Sequence, residues 1–189
     1  MAMRLGPVAC AVLALALVGC GADYVEETDA TVLLVLTAIN EGSPIASDVR
    51  GENGVIVNCA TTVGLQVLVK NPNNPGSPVE SVVLKRYDVS FTRSDGRAVE
   101  GVDVPYRFSA PMTATIAAGS DATFTIDLVR QQAKLEPPLS NITGLQIVEM
   151  TANVTVYGET VSRKAVSASG AASIRFADYG SGTTTCEGS

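Results

Sequence analysis

From residue 31 onward the chain breaks into short apolar runs separated by turn residues, with no sustained helical period. That pattern restricts it to an all-β architecture. Residues 31–39 (TVLLVLTAI) form a continuous apolar run, as expected of a strand buried on both faces. Residues 40–54, rich in Gly, Ser, Asp and Asn, read as loop. Residues 55–59 and 64–70 are strand-like, and Leu65, Val67 and Val69 alternate with Gln66, Leu68 and Lys70. The segment Asn71-Pro72-Asn73-Asn74-Pro75-Gly76 stops that run, because proline cannot donate to a ladder and Asn/Gly favour turns. A long strand is predicted over 81–93, with Tyr87, Val89 and Phe91 on one face, and Asp95-Gly96 supplies a hairpin turn after it. Strands follow over 99–109, 112–117 and 122–129. In the last of these, Phe124, Ile126 and Leu128 alternate with Thr123, Thr125 and Asp127. Residues 130–136 fit a helical turn ended by Pro137-Pro138. Strands over 146–157 and 161–177, parted by Gly158, complete the set. The expectation is an antiparallel β-sandwich of about 7–9 strands over residues 31–178, with a flexible tail over 179–189. A closed barrel is the alternative. An outer-membrane barrel would need repeated spanning strands and aromatic girdles, and aromatics make up only 5% of the chain.

The first residues carry a different message. Arg4 precedes an apolar stretch over 8–18, which leads to Leu17-Val18-Gly19-Cys20. A charged start, a short apolar run and a small-residue exit define a secretory signal. The run is too short to span a bilayer, which takes about 20 apolar residues. Leu17-Val18-Gly19-Cys20 resembles the lipobox of bacterial lipoproteins. The resemblance implies that residues 1–19 are a signal peptide cut between Gly19 and Cys20. It also implies that the Cys20 thiol carries diacylglycerol and that the new N-terminus is acylated, commonly with palmitate. Several acyl chains hold a protein stably on a membrane. An ordinary cleaved signal is the alternative, but Leu17, three residues before the cut, departs from its small-x-small exit. Residues 20–30, with Asp23, Glu26, Glu27 and Asp29, form a short acidic tether that reaches at most about 36 Å. By the same resemblance, Gly21 after the cysteine makes the outer membrane the default where a cell has one.

Composition narrows the function classes. Removing the leader leaves 170 residues with 12 basic and 19 acidic side chains, a net charge of −7. That charge argues against nucleic-acid binding, which needs a basic patch or stripe. It leaves membrane attachment to the acyl chains rather than to attraction by anionic lipid. The chain has no histidine, so Ser-His-Asp and Cys-His catalysis and His-built zinc sites are out. Cys10 leaves with the signal and Cys20 takes lipid, so Cys59 and Cys186 remain. An envelope location permits disulfides, and these two are the disulfide candidate. Two free thiols, one buried and one in the tail, are the alternative.

Reaction motifs are absent: there is no GxGxxG and no P-loop. The four lysines are preceded three positions earlier by Val67, Val82, Gln131 and Val161, which rules out S-x-x-K. Asp95, Glu100 and Asp103 could gather Ca²⁺, although their spacing fits no EF-hand; solubilising charges on a hairpin end is the plainer reading. Arg86, Arg93, Arg97 and Arg107 could mark an anion site, or simply point outward from strands and turns. A carboxylate-based hydrolase needs two acids meeting across a cleft, and nothing local recommends a pair. Asn141-Ile142-Thr143 and Asn153-Val154-Thr155 match the glycosylation sequon, coincidences in a bacterial lipoprotein. No enzyme activity, metal or cofactor is expected.

Within residues 64–128, Lys70-Asn71-Pro72-Asn73 follows an alternating strand. Tyr87-x-Val89 with Asp95-Gly96 comes next, then Ile116-Ala117-Ala118-Gly119-Ser120 before a further strand. This succession resembles the late-embryogenesis-abundant type-2 (water-stress) domain. The resemblance implies an immunoglobulin- or fibronectin-like sandwich without catalytic residues and with a protective or interactive role. The block from Arg86 to Phe108, with Gln132 to Pro138, also resembles uncharacterised envelope lipoproteins. The resulting expectation is a membrane-anchored, non-enzymatic β-sandwich that binds an envelope protein or serves a structural role. A domain binding a small apolar ligand and a stress-protective protein are the alternatives.

Overall fold

The computed structural model describes residues 30–51, 54–71, 73, 76–179 and 187–188. Cys20, the tether, Cys186 and most of the tail lie outside the described residues. Strands β1 (Val32–Ile39), β2 (Ile45–Asp48), β3 (Cys59–Val69), β4 (Val82–Arg93), β5 (Phe108–Ile116) and β6 (Asp121–Val129) are followed by one helical turn, α1 (Gln131–Leu135). Then come β7 (Ile147–Thr160), β8 (Ala165–Ala177) and the short β9 (Glu187–Gly188). They form two sheets, ordered β1-β3-β6 and β5-β4-β7-β8-β2-β9. The expected all-β sandwich is what the chain forms.

The core lies between the inner faces of the sheets. Val32, Leu34, Val63, Leu65, Val67, Ile126 and Leu128 of the smaller sheet belong to one buried cluster with Leu84, Val89, Phe91, Val154, Ile174 and Phe176 of the larger. Period-two alternation produces this directly: in β7, buried Met150, Ala152, Val154 and Val156 alternate with half-exposed Thr151, Asn153, Thr155 and Tyr157. Each buried Val or Leu contributes roughly 1.5–3 kcal/mol. In β4 the inward set changes parity, from Val82 and Leu84 to Tyr87, Val89 and Phe91. A register shift between Leu84 and Arg86 makes both sets face the core.

Several expectations change. The pairing is not wholly antiparallel: β2 lies parallel to β8, with Ile45 opposite Ile174 and Asp48 opposite Ala177. Residues 40–54, expected as loop, contain β2. Its four residues include buried Ser47 and Asp48, which hide the strand from any hydrophobic pattern. Strand β1 is not buried on both faces: Val32 and Leu34 are buried, whereas Leu33 and Val35 are only partly so and Thr37 is exposed. Residues 55–58 are not strand, and β3 starts at Cys59. The run over 99–109 is a loop until Phe108; Val99 accepts backbone hydrogen bonds from Val102, Asp103 and Val104, which coil it. Gly158 does not separate two strands. It lies inside β7, where a Cβ would stand 2.8 Å from the Val83 carbonyl oxygen of β4. In the tail, Glu187 and Gly188 pair with Ala46 and Ile45 of β2.

Candidate functional site

The strand β4 defines two opposite ends of the sandwich. At its beginning, Val82 pairs with Ile116 and Thr160. The chain enters at this end: the Thr31 carbonyl accepts a hydrogen bond from Lys70 N–H at 3.0 Å. Glu80 fixes the same corner. Its carboxylate accepts Ser77 N–H at 2.7 Å in a capping box. That bond, and a second with the Thr31 side chain, hold its pKa below the usual carboxylate value. Val79 and Val161, each 52% exposed, are neighbours here, since Ser162 N–H donates to the Val79 carbonyl and Val161 N–H to that of Ser81. Lys70, Arg163 and Lys164 belong to this end.

At the other end of β4, Arg93 pairs with Met150, and Ser94 N–H reaches the Glu149 carbonyl at 3.1 Å. The loop between β4 and β5 and the start of β7 meet there. This end carries large exposed apolar side chains: Leu145, fully exposed, with Ile147, Val99, Val102 and Tyr106, each more than half exposed. No alternation rule picks out loop residues such as Leu145, and only the assembled sheet shows which of them share an end.

The charged candidates of the sequence other than Arg86 lie at this end and pair off with one another. Asp95 takes Arg97 at 2.8 Å and Arg93 at 3.4 Å; Asp103 takes Arg97 at 3.2 Å; Glu100 takes Arg107 at 3.3 Å. Hydrogen bonds from Arg97 keep the Asp95 carboxyl below its ordinary pKa. Arg86 pairs with Asp88 at 3.4 Å and stacks on Tyr157. The three acids therefore do not gather for a cation, and the four arginines do not gather for an anion. Among the described residues no three His, Cys, Asp or Glu side chains stand together as a metal site.

Cys59 is buried and disulfide-bonded. It is the only cysteine among the described residues, so no bridge has both its halves there. A buried polar group that sequence reasoning missed is Lys134 of α1, 4% exposed. Burial pushes its ammonium down to about 8, against the opposing attraction of Asp48, itself buried. Among the described residues, the Asp48 Oδ2 atom, like Ser47 Oγ and Thr61 Oγ1, has no hydrogen-bond partner.

Among the described residues, clefts open on the surface at three places. One, about 370 Å³, runs between β5 and β6; its lining includes Tyr87, Met112, Ala114, Phe124 and Ile126. A second, about 440 Å³, lies between the end of β1 and residues 170–173 of β8. A third, about 430 Å³, lies over Ser90, Phe108 and Asn153. All three are open to solvent rather than enclosed, unlike the closed pockets that bury most of a small ligand.

No family model matches the chain, and no curated protein matches it in sequence. Solved structures resemble it in outline. One is the solution structure of a late embryogenesis abundant protein, at 9% identity and a TM-score of 0.43, covering 79% of this chain and 73% of that one. Another is the periplasmic chaperone SfaE, at 10% identity and a TM-score of 0.34, covering 76% of this chain and 57% of that one. At these scores neither likeness carries an argument about function.

Proposed function

We propose that this chain is a lipid-anchored cell-envelope protein, without enzyme activity, whose β-sandwich holds a protein-docking end away from the membrane. The observation that carries the reading is the polarity of the sandwich. The chain enters beside Thr31 and Lys70 at the beginning of β4, and the exposed apolar side chains Leu145, Ile147, Val99, Val102 and Tyr106 gather at the far end of that strand. The strand β4 between the ends has twelve residues and spans about 36 Å at strand rise. A lipid on Cys20 and a tether of ten residues keep the near end at the bilayer. Val79 and Val161 are then the side chains that meet the interface, with Lys70, Arg163 and Lys164 near the headgroups. An apolar cluster rimmed by ion pairs, at the end remote from the anchor, suits a protein partner. In a cell with two membranes the outer one is the proposed address, because Gly21 follows Cys20.

The test has two parts. Labelling cells with palmitate should mark the wild-type chain and not Cys20→Ala, which should leave the membrane fraction. A photo-crosslinking residue at position 147 should capture protein, and one at 161 should capture lipid. Retention of Cys20→Ala on membranes would overturn the anchor. Protein captured at 161 with none at 147 would overturn the orientation.

A further inference from the structure

We propose that the free margin of β6 docks an extended, basic-flanked segment of another protein, which adds a fourth strand to the smaller sheet. The direction of the backbone groups carries the argument. Asp127 N–H donates to the Tyr87 hydroxyl at 3.1 Å, and that hydroxyl donates to the Asp127 carbonyl at 3.3 Å. Tyr87 belongs to the other sheet, so the Asp127 backbone groups point away from β3. Between Asp121 and Asp127 the pairing with β3 runs without a shift. Strand parity therefore aims the N–H and C=O groups of Thr125, Thr123 and Asp121 out along the same margin. Asp121, Thr123 and Thr125 are exposed, and no described strand pairs with β6 on that side.

The other sheet margins carry the devices that stop such pairing. Strand β5 has Pro111 and lies opposite the register shift of β4. Strand β1 has its own shift between Leu36 and Ala38 and crosses over β8. Strand β9 has two residues. Strand β6 has nine residues, without proline, lysine or arginine. Beside it lies the cleft of about 370 Å³, where Met112, Ala114, Phe124 and Ile126 offer an apolar wall. Phe124 is only half-buried. An added strand would pair with Thr123 and Thr125 and set every second side chain against that wall.

Charge selects the occupant. A second copy of β6 laid antiparallel and centred on Phe124 would put Asp121 opposite Asp127 at both ends, a like-charge pairing that destabilises a sheet. A segment with Lys or Arg at each end of an alternating apolar stretch complements the same two carboxylates. This margin lies along the side of the sandwich and is independent of the lipid anchor and of the Leu145–Ile147 end.

The test uses the ¹⁵N-labelled full-length chain and the peptide Lys-Val-Thr-Val-Thr-Val-Lys. In the free protein the Thr123 and Thr125 amides should exchange rapidly with solvent. The peptide should slow both by about tenfold or more. The same peptide fully N-methylated should have no effect, and one with Glu in place of both Lys should bind about tenfold more weakly. Protection of Thr123 and Thr125 in the free chain would overturn the proposal. So would equal binding of the N-methylated peptide, or a concentration-dependent dimer that protects these amides without peptide.

Discussion

Lys134 makes folding of this chain sensitive to mild alkali. Its ammonium is held down to about 8 in the folded state, against 10.5 when exposed, and burial is the main cause. Between those values the unfolded chain binds the proton and the folded chain does not. Stability therefore rises with pH from about 8 to 10.5, and below that window the desolvation cost is fully present. Chemical denaturation at stepped pH should show the rise, on the order of 3 kcal/mol at most, and Lys134→Met should flatten it. Tyr87 works in the opposite sense. Burial, its largest cause, raises the phenol pKa above 10, so its contribution is present at neutral pH and lost as pH climbs through the folded value. Tyr87→Phe removes both bonds to Asp127 across the sheets and should cost about 1–3 kcal/mol in urea unfolding. The sequence places Tyr87 on the buried face with Val89 and Phe91. It gives no sign of the hydroxyl's partner, because Asp127 is forty residues away in the other sheet.

At the scale of elements, two glycines measure how closely strands approach. A Cβ at Gly158 would meet the backbone of β4, with the Val83 carbonyl oxygen at 2.8 Å. One at Gly170 would meet only the Leu36 side chain, with its Cδ2 at 2.7 Å. A backbone cannot step aside, whereas a leucine methyl can change rotamer. Gly158→Ala should therefore lower stability by about 1–3 kcal/mol, and Gly170→Ala should cost clearly less; thermal melts of the two variants check the order. Gly158 also shows where sequence reading stops. As punctuation it marks a turn, and only the neighbouring strand reveals it as a point of contact. Regular elements such as β4, β6 and β8 are legible because alternation and turn residues bound them. Strand β2 is not legible, since its pairing to β8 outweighs a sequence, Ile-Ala-Ser-Asp, with little strand character. The loop over 97–107 contains valines that suggest strand, yet Gly101 at a positive φ and the turn around Val99 coil it.

At the scale of the whole molecule, the described residues beyond β8 return to the larger sheet. Glu187 and Gly188 pair with β2, which holds the chain next to Cys186 against the sheet while Cys59 is already disulfide-bonded. We expect Cys186 to be the partner. Non-reduced peptide mapping should recover a linked 59–186 pair, and Cys59→Ser should lower stability by up to about 4–5 kcal/mol; a Cys59 linked to another cysteine would refute the pairing. The sequence offers Cys59 as a bridging cysteine, and the structure has it disulfide-bonded. The polarity of the sandwich is not legible there, since it depends on which loops the topology gathers at each end. The placement of β2 also bears on how the protein emerges from any machine that delivers it N-terminus first. Its partners, Ile174 to Ala177 on one side and Glu187 to Gly188 on the other, appear long after β2 itself. Until then β2 has no ladder to join and the larger sheet cannot be finished. The larger sheet therefore takes in β2 only after β8 has appeared, and the early strand waits unpaired through the passage of everything between them.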